Sequence, residues 1–246
     1  MKKIQVQITP ILSYCFPMAL LGVCLAWISC SPDSSADRSA ADWIEKFNLE
    51  SCTFSSTGRN DYFILEPGYQ LILEEVDEDT TRLVITVLNA TVKVGEVETR
   101  IVEEKESING NLVEISRNFF AFCTQTKSVF YFGEEVDIYK QGKVASHEGE
   151  WRADSNDARA GLMIPGVISP GYRYYQEIAP GVAMDRAEIK SNTATYETPA
   201  GTFENCLITE ETTPLEPRSR EDKIYAPGVG LIKDGELSLI EHGFVN

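Results

Sequence analysis

Histidine and basic side chains are scarce in this sequence of 246 residues. Only His147 and His242 occur, so a histidine-based catalytic triad or a multi-histidine metal site has almost nothing to be built from. Lysine and arginine number 22 against 38 aspartates and glutamates, which gives a net charge of −16. Because such an acidic surface repels phosphate backbones, we expect no nucleic-acid partner.

The six cysteines include no C-x-x-C pair, so a structural zinc site is not expected. We predict no metal and no cofactor. Cys30 ends an apolar N-terminal run, and Cys52, Cys123 and Cys206 are the cysteines that follow it. An odd number allows one disulfide at most. Two interpretations stay open, which are buried thiols throughout or a bridge between Cys52 and Cys123.

The first thirty residues have the composition of an export signal. Lys2 and Lys3 precede a nearly uncharged stretch that ends at Ser29 and Cys30, as in bacterial lipoproteins. We therefore predict a signal peptide over residues 1–30 and lipidation of Cys30. The protein would then be held at the membrane of a bacterial cell envelope, facing the periplasm or the surface. A plain secretory signal and an uncleaved N-terminal anchor are the alternatives.

Residues 31–60 are predicted to be a tether with one short helix. Its first part, "SPDSSADRSAAD", is small and polar, as flexible linkers are. In "ADWIEKFNLE", Trp43, Ile44 and Phe47 have helical spacing after Asp42, which can serve as an N-cap.

From Asp61 onward the sequence predicts β-strands. Short runs rich in Val, Ile, Thr, Tyr and Phe alternate with turn signals such as "EPG", "DEDT", "NGN" and "KDGE". In residues 83–88 both alternating faces are partly apolar, which is typical of a strand that is buried on two sides or lines a cavity. We therefore predict an all-β fold.

An internal repeat divides these strands into two sets. "EPGYQLILEEV" is matched by "SPGYRYYQEIA" 103 residues later, Gly95 by Gly201 after 106 residues, and Ala121 by Ala226 after 105. We predict two tandem antiparallel meanders, 61–142 and 164–246, joined by a strand and loop over 143–163. Each would form a curved sheet or half-barrel.

The glycine-rich stretch "KIYAPGVGLIKDGEL" is predicted to be a hairpin and not a ligand-binding loop. The first repeat makes the same connection with "CTQTK", which contains no glycine. The stretch also lacks the strand–loop–helix setting of a phosphate-binding loop. Glycine serves here to supply the positive φ of a tight turn.

Several motifs resemble a group of uncharacterised bacterial envelope proteins. They are "TPAGTFENCLIT", "TTPLEP", the hairpin "KIYAPGVGLIKDGEL" and the upstream "FYFGEEVDIYKQGKVASHEGEW". The resemblance covers roughly Tyr62 to Gly243. It implies, by distant analogy of fold alone, the half-barrel carriers of lipoproteins or lipids, in which a curved sheet encloses an apolar cavity.

The segment "PGYRYYQEIAPGVAMDRAEIK" holds the main candidate binding residues. Strand alternation predicts Tyr172 and Tyr174 on one face and Glu177 on the other, with Asp185 and Arg186 opposite them on the next strand. Tyrosine, arginine and carboxylate together could stack on a sugar or perform acid–base catalysis. Half-buried structural tyrosines are the alternative interpretation.

A second candidate is "SHEGEW", where His147 and Trp151 flank two glutamates. An imidazole, an indole and carboxylates could form a sugar subsite or a weak metal site. A polar edge strand explains the same residues without a ligand.

These observations lead to three functional hypotheses. The first is an exported, lipid-anchored, non-enzymatic binding or structural module, with a lipid or glycan ligand or another envelope protein as its partner. The second is a carbohydrate-active hydrolase or lyase that uses Tyr, Arg and carboxylate residues. The third is a surface protein without a small ligand. The first predicts a cavity lined by apolar residues, and the second predicts a polar groove with two facing carboxylates.

Overall fold

The computed structural model describes residues 43–77 and 79–245, except for the side chain of Val76. The predicted signal peptide, the lipidation at Cys30 and residues 31–42 of the predicted tether lie outside the described residues. Within the described part, no helix has the length and apolarity that crossing a membrane requires.

The described residues form strands connected by turns, as the all-β prediction requires. The strands are β1 (Phe54–Ser55), β2 (Gly58–Asn60), β3 (Phe63–Leu65), β4 (Tyr69–Val76), β5 (Thr80–Val94), β6 (Val97–Ile108), β7 (Asn111–Cys123), β8 (Val129–Lys140), β9 (Lys143–Ser146), β10 (Trp151–Arg152), β11 (Arg159–Ile164), β12 (Arg173–Tyr175), β13 (Glu177–Ile178), β14 (Arg186–Thr198), β15 (Gly201–Thr213), β16 (Glu216–Ala226), β17 (Gly230–Asp234) and β18 (Leu237–Phe244).

Most of these strands belong to one antiparallel sheet with the order β12-β14-β15-β16-β17-β18-β4-β5-β6-β7-β8-β11-β13. The order contains two meanders, β4 to β8 and β14 to β18, which are joined where β18 pairs with β4. The predicted tandem meanders are therefore present, and together they make a single sheet that is nearly closed into a barrel.

The barrel comes close to closure at one short stretch of chain, which we call the seam. Strand β12 pairs with β14 at one edge of the sheet, and β13 pairs with β11 at the other edge. Only Gln176 separates these two strands in the chain. Gly161 on β11 lies so close to the Gln176 carbonyl that a Cβ atom would not fit there, so this glycine allows the two edges to approach.

The sheet encloses a face that is part polar and part apolar. Lys223 on β16 pairs directly with Thr209 on β15 and Asp234 on β17, and all three are buried. On the opposite meander Leu73 pairs with Leu83, and both are buried too. Directly paired residues share one face of a sheet, so charged and apolar side chains lie on the same enclosed surface.

A small hairpin, β2–β3, closes one end of the barrel, and we call it the cap hairpin. The Asn60 side-chain amide donates to the carbonyls of Lys127 (2.8 Å) and Pro165 (3.2 Å). The Tyr62 hydroxyl donates to the Asn205 carbonyl (3.0 Å). These bonds connect the hairpin to loops and strands from both meanders, and we call this end of the barrel the cap end.

The helix predicted around Trp43 is absent from the described residues, which begin at Trp43. Ile44 instead forms a parallel bridge with Tyr174, in which its N–H donates to Arg173 O (3.0 Å) and its carbonyl accepts from Tyr175 N (2.9 Å). Within the described part of this segment, from residue 43 onward, Leu49–Ser51 makes a single 3₁₀ turn. The open edge of β12 offers unpaired backbone groups, and bonding to them satisfies the segment better than a short solvent-exposed helix would.

Residues 43–55, which we call the strap, pack along the outside of the barrel. Phe47 and Phe54 contact the ring of Phe130 edge-on, with centroids 5.8 and 5.7 Å away. A disulfide joins Cys52 to Cys123, with Cα atoms 5.2 Å apart. The bridge that the sequence left open is thus formed, and Cys206 is a buried free thiol.

The glycine-rich stretch forms the predicted hairpin between β16 and β17. Ala226 pairs with Gly230, and the Val229 N–H donates to Ala226 O (3.2 Å). Gly228 has a φ of 72°, a conformation that glycine adopts without strain. Its N–H donates to Asp61 O (2.7 Å), which ties the turn to the cap hairpin.

Candidate functional site

A buried lysine lies between two carboxylates on the enclosed face. The Lys223 ammonium is 3.4 Å from a carboxylate oxygen of Glu211 and 3.4 Å from one of Asp234. The three side chains are at most a tenth exposed. Asp234 immediately precedes the β17–β18 turn, which lies at the end of β17 opposite to the cap end. We call this opposite end the acidic end.

Burial and charge act against each other in this ion cluster. Burial alone would lower the pKa of Lys223, but Asp234 and Glu211 outweigh it and raise that pKa well above its usual value. At Glu211, burial outweighs the attraction of Lys223, so the pKa of this carboxyl is raised. Lys223 is therefore a permanent cation, and Glu211 holds its proton more tightly than an exposed glutamate does.

The seam adds two polar side chains to the cluster. The Gln176 amide donates to Glu211 Oε1 (2.9 Å). The backbone N–H groups of Gln176 and Glu177 both donate to Asp185 O, at 2.8 and 3.0 Å. Two donors on one carbonyl interrupt the regular strand alternation, as a β-bulge does. Both side chains are thus buried among the acidic residues, and the prediction that alternation separates this stretch into two faces is wrong at this point.

Glu177 lies among other carboxyl groups. It is 1 % exposed, and burial raises its pKa well above the usual value, to which the nearby Asp185 and Glu134 add. The charge of Glu211 acts in the same direction. Glu134 is on β8 and Glu211 on β15, eight places apart in the sheet order, which is roughly 38 Å on a flat sheet. Glu177 reaches both because the sheet curls around it.

Tyrosines surround the charged groups. Tyr174 is fully buried, and its hydroxyl lies 3.4 Å from Met163 O. Burial raises the pKa values of Tyr174, Tyr131 and Tyr225 well above 10. The Tyr131 hydroxyl donates to Asn118 Oδ1. These phenols stay neutral, so they act as hydrogen-bonding and stacking groups.

Four buried polar atoms have no hydrogen-bond partner among the residues that the structure describes. They are Trp151 Nε1, Glu177 Oε1, Thr209 Oγ1 and Tyr225 Oη. Buried polar groups in proteins are almost always paired, and a buried group without a partner points to a strained, catalytic or ligand-binding position. Thr209 and Tyr225 are on β15 and β16, whereas Trp151 and Glu177 are on the opposite side of the seam.

Trp151, predicted from the sequence, is part of this interior. It pairs with Glu134, so the two side chains share a face, and it is 5 % exposed. Its ring meets that of Tyr131 edge-on, with centroids 5.3 Å apart. His147, its predicted companion, is elsewhere: its imidazole is more than half exposed, with Nδ1 2.8 Å from Val136 O.

The other predicted residues also separate. Asp185 is half-buried, and its charge acts on both Glu177 and Glu211. Arg186 instead covers Trp43 of the strap, with its guanidinium carbon 4.3 Å from the ring centroid. Tyr172 is half-buried against the ring of Tyr174, 5.3 Å away. The structure thus brings together Tyr174, Glu177, Asp185 and Trp151, and leaves out Arg186 and His147.

Sequence reasoning missed the ion cluster of Glu211, Lys223 and Asp234. The only available signal was Lys223 in "DKIYA", one charge placed at strand alternation with Tyr225. The cluster depends on the pairing of three strands, which no short motif encodes. In residues 43–77 and 79–245, no group of three or more His, Cys, Asp or Glu side chains is arranged to hold a metal ion.

Comparisons with known proteins add no assignment. No protein-family model matches the chain, and neither a curated protein nor a solved structure is detectably similar to it. Function therefore has to be argued from the interior itself. That interior offers a buried ammonium, two carboxyl groups whose pKa values are raised, and neutral phenols, so it can bind a polar group and can exchange a proton with it.

Proposed function

We propose that this protein is a non-enzymatic binding module of the bacterial cell envelope, which holds a small amphiphilic ligand inside its barrel. The observation that carries the proposal is the set of buried polar atoms on both sides of the seam, at Glu177, Trp151, Thr209 and Tyr225, for which the described residues supply no hydrogen-bond partner. A ligand that bonds to them would remove the cost of burying them unpaired.

The enclosed face suits an amphiphile because it has an apolar part and a polar part. Leu73 and Leu83 of the first meander are buried next to one another, as are Leu237 and Leu239 on the adjoining strand β18. Buried polar groups lie on β15 to β17, at the seam, and on β7 and β8 beside it. An apolar chain against the leucines and a polar head at the seam would match both halves.

The proposed location in the envelope is supported by two features. The apolar run ending at Cys30 has the pattern of a lipoprotein signal. The Cys52–Cys123 disulfide is typical of proteins that fold outside the reducing cytosol. Cys30→Ser should abolish the mass increase that lipidation causes and move the protein out of the membrane fraction. An unchanged mass would contradict the anchor.

Native mass spectrometry of the whole protein, purified from an exporting bacterial host in a non-ionic detergent, tests ligand binding. We expect a discrete adduct that survives removal of the detergent. Leu83→Trp should displace it, because the larger ring fills the enclosed face. Leu88→Trp is the control, because Leu88 lies on the same strand with the opposite alternation and is only half-buried. A bare protein mass, or an adduct equally abundant in both variants, would contradict the proposal.

A carbohydrate-active enzyme is the second candidate, and one observation favours it. Glu177 is a buried carboxyl with a raised pKa, as a general acid requires, and a second carboxyl, Glu211, is bonded to its neighbour Gln176. It ranks second because both carboxyls are buried, whereas an oligosaccharide needs an open groove. Turnover of a glycan panel that Glu177→Gln abolishes would favour the enzyme over the binding module.

A further inference from the structure

Two of the buried atoms without partners belong to one part of the interior, which we call the Glu177 subsite. Glu177 Oε1 and Trp151 Nε1 have no hydrogen-bond partner among the residues that the structure describes. Both side chains lie close to Tyr131, since the charge of Glu177 acts on the Tyr131 phenol and the Trp151 ring contacts it. The subsite therefore offers a carboxyl oxygen and an indole N–H beside one aromatic ring.

The electrostatic potential at this subsite is negative. Asp185, Glu134 and Glu211 all act on Glu177 in the same direction. The buried cation of the region, Lys223, lies in contact with Glu211 and Asp234. An anionic head group would add to this repulsion, whereas a cation would relieve it.

The aromatic side chains favour the same kind of ligand. Tyr131 and Trp151 meet edge-on, so the face of one ring is directed at the edge of the other. The hydroxyl of Tyr131 already donates to Asn118, and one face of its ring stacks on Phe120 with centroids 4.6 Å apart, so the aromatic surface of the subsite is Trp151 together with the other side of Tyr131. Aromatic faces beside carboxylates attract ammonium groups, because the ring quadrupole and the carboxylate charge act together.

We infer that the Glu177 subsite binds the protonated amine of the ligand, so that the ligand is an amine-bearing amphiphile. Glu177 Oε1 accepts a hydrogen bond from the ammonium, and Trp151 Nε1 donates to an oxygen on the same head group. This inference rests on the proposed function, because it names the head group of the ligand that the barrel holds.

Binding of an amine should release a proton. Burial raises the pKa of Glu177 and so favours its protonated form in the free protein, whereas an ammonium at contact distance stabilises its ionised form. The proton leaves Glu177 for the buffer, and the ligand keeps its own. A neutral ligand of the same size causes no such release, so proton release separates charge recognition from simple filling of the barrel.

Three short probes with four carbon atoms each test the inference, namely n-butylamine, n-butanol and butyrate. They are titrated into the whole protein in a non-ionic detergent near neutral pH, and binding is followed by tryptophan fluorescence and by calorimetry in two buffers of different ionisation enthalpy. We expect butylamine to bind about tenfold more tightly than butanol, with release of about one proton, and butyrate to bind more weakly than either.

Glu177→Gln is the decisive variant, because it keeps the size of the side chain and removes the group that can ionise. It should abolish both the preference for butylamine and the proton release, while thermal unfolding shows that the fold is kept. Glu148→Gln, at an exposed glutamate, is the matched control and should change neither.

The outcomes distinguish this inference from the proposed function. Equal binding of butylamine and butanol, or a preference that survives Glu177→Gln, overturns the amine subsite. The adduct in native mass spectrometry would then still support a ligand inside the barrel. No binding of butylamine also overturns the inference, and the absence of any adduct removes the proposed function with it.

Discussion

At the cap end of the barrel, both polar atoms of the Asn60 side chain are hydrogen-bonded. At the seam, one carboxyl oxygen of Glu177 has no hydrogen-bond partner among the residues that the structure describes. The Asn60 amide donates to two carbonyls and its oxygen accepts from the Tyr62 N–H (2.9 Å). Glu177 is as deeply buried, yet its Oε1 has no hydrogen-bond partner within the part of the chain that the structure describes. The same protein thus treats its buried polar groups differently in these two regions.

This difference separates groups that stabilise the fold from groups whose burial destabilises it. The cap hairpin, the disulfide and the phenylalanines around the strap all add contacts without leaving unpaired charge. The interior near the seam instead contains carboxyl groups whose burial works against stability. Unfavourable groups that persist in a well-built scaffold are typical of binding sites. Substitutions that perturb one of the two regions at a time test this contrast.

The largest effect is expected at Lys223. Lys223→Met leaves Glu211 and Asp234 buried without their cation, which should lower the free energy of unfolding by about 3–5 kcal/mol. Urea unfolding at neutral pH measures the change. Lys233→Met, on the neighbouring strand at a half-buried position, is the control and should cost far less. Equal losses in the two variants would show that the ion cluster has no special weight.

The next largest effect concerns the disulfide at the strap. Replacing Cys52 and Cys123 together by serine should lower the free energy of unfolding by about 2–4 kcal/mol, because the bridge closes a long loop in the unfolded chain. Butylamine binding should stay unchanged, since the strap lies on the outside of the barrel. A variant that loses stability and amine binding together would show that the two regions are coupled. Cys206→Ser is the control for loss of a buried thiol without a bridge.

A stabilising effect is expected at Glu177. The folded-state pKa of this carboxyl is raised above its unfolded value near 4.5, so the folded protein binds the proton more tightly. Its contribution to stability is therefore present below that value and is lost as pH rises through the raised folded pKa. Glu177→Gln removes this loss and should raise the free energy of unfolding near neutral pH by about 1–3 kcal/mol.

The pH dependence provides the check on Glu177. Urea unfolding of the native protein should show stability falling as pH rises from about 4.5 toward neutrality, and Glu177→Gln should flatten that slope. The exposed Glu148→Gln should leave the slope as it is. A slope unaffected by Glu177→Gln would mean that Glu177 ionises freely in the folded protein.

The sequence predicted the parts of the fold that depend on local patterns. Alternating β-branched and aromatic residues predicted the strands, and the glycines of "APGVG" predicted the β16–β17 turn. The helix at Trp43 was wrong because the spacing of Trp43, Ile44 and Phe47 cannot show that β12 leaves an open edge to bond to. A local pattern gives the preference of a segment, and a distant strand decided the outcome here.

For the site, sequence reasoning found side chains but not their arrangement. The sequence predicted Tyr174, Glu177, Asp185 and Trp151. It placed Gln176 and Glu177 on opposite faces, whereas the bulge leaves both of these side chains buried. Lys223 was missed because its partners Glu211 and Asp234 come from the two neighbouring strands, and register across strands is a property of the folded sheet.

The smallest effect is expected at Tyr69, near the cap end. Its substitution tests whether the hydrogen bonds of buried polar groups in that region stabilise the protein. The Tyr69 hydroxyl donates to Val229 O (2.9 Å), and burial raises its pKa from 10 to about 12. Because the folded pKa is the higher one, stability should fall as pH rises from about 10 toward 12, when the unfolded chain ionises first.

Tyr69→Phe should lower the free energy of unfolding by about 1 kcal/mol near neutral pH through loss of the hydrogen bond, and it should weaken the alkaline fall in stability. Tyr139→Phe, at a half-buried position on β8, is the control. If Tyr69→Phe instead stabilises the protein, its hydroxyl belongs with the poorly satisfied groups of the interior, and the contrast between the two regions would have to be redrawn.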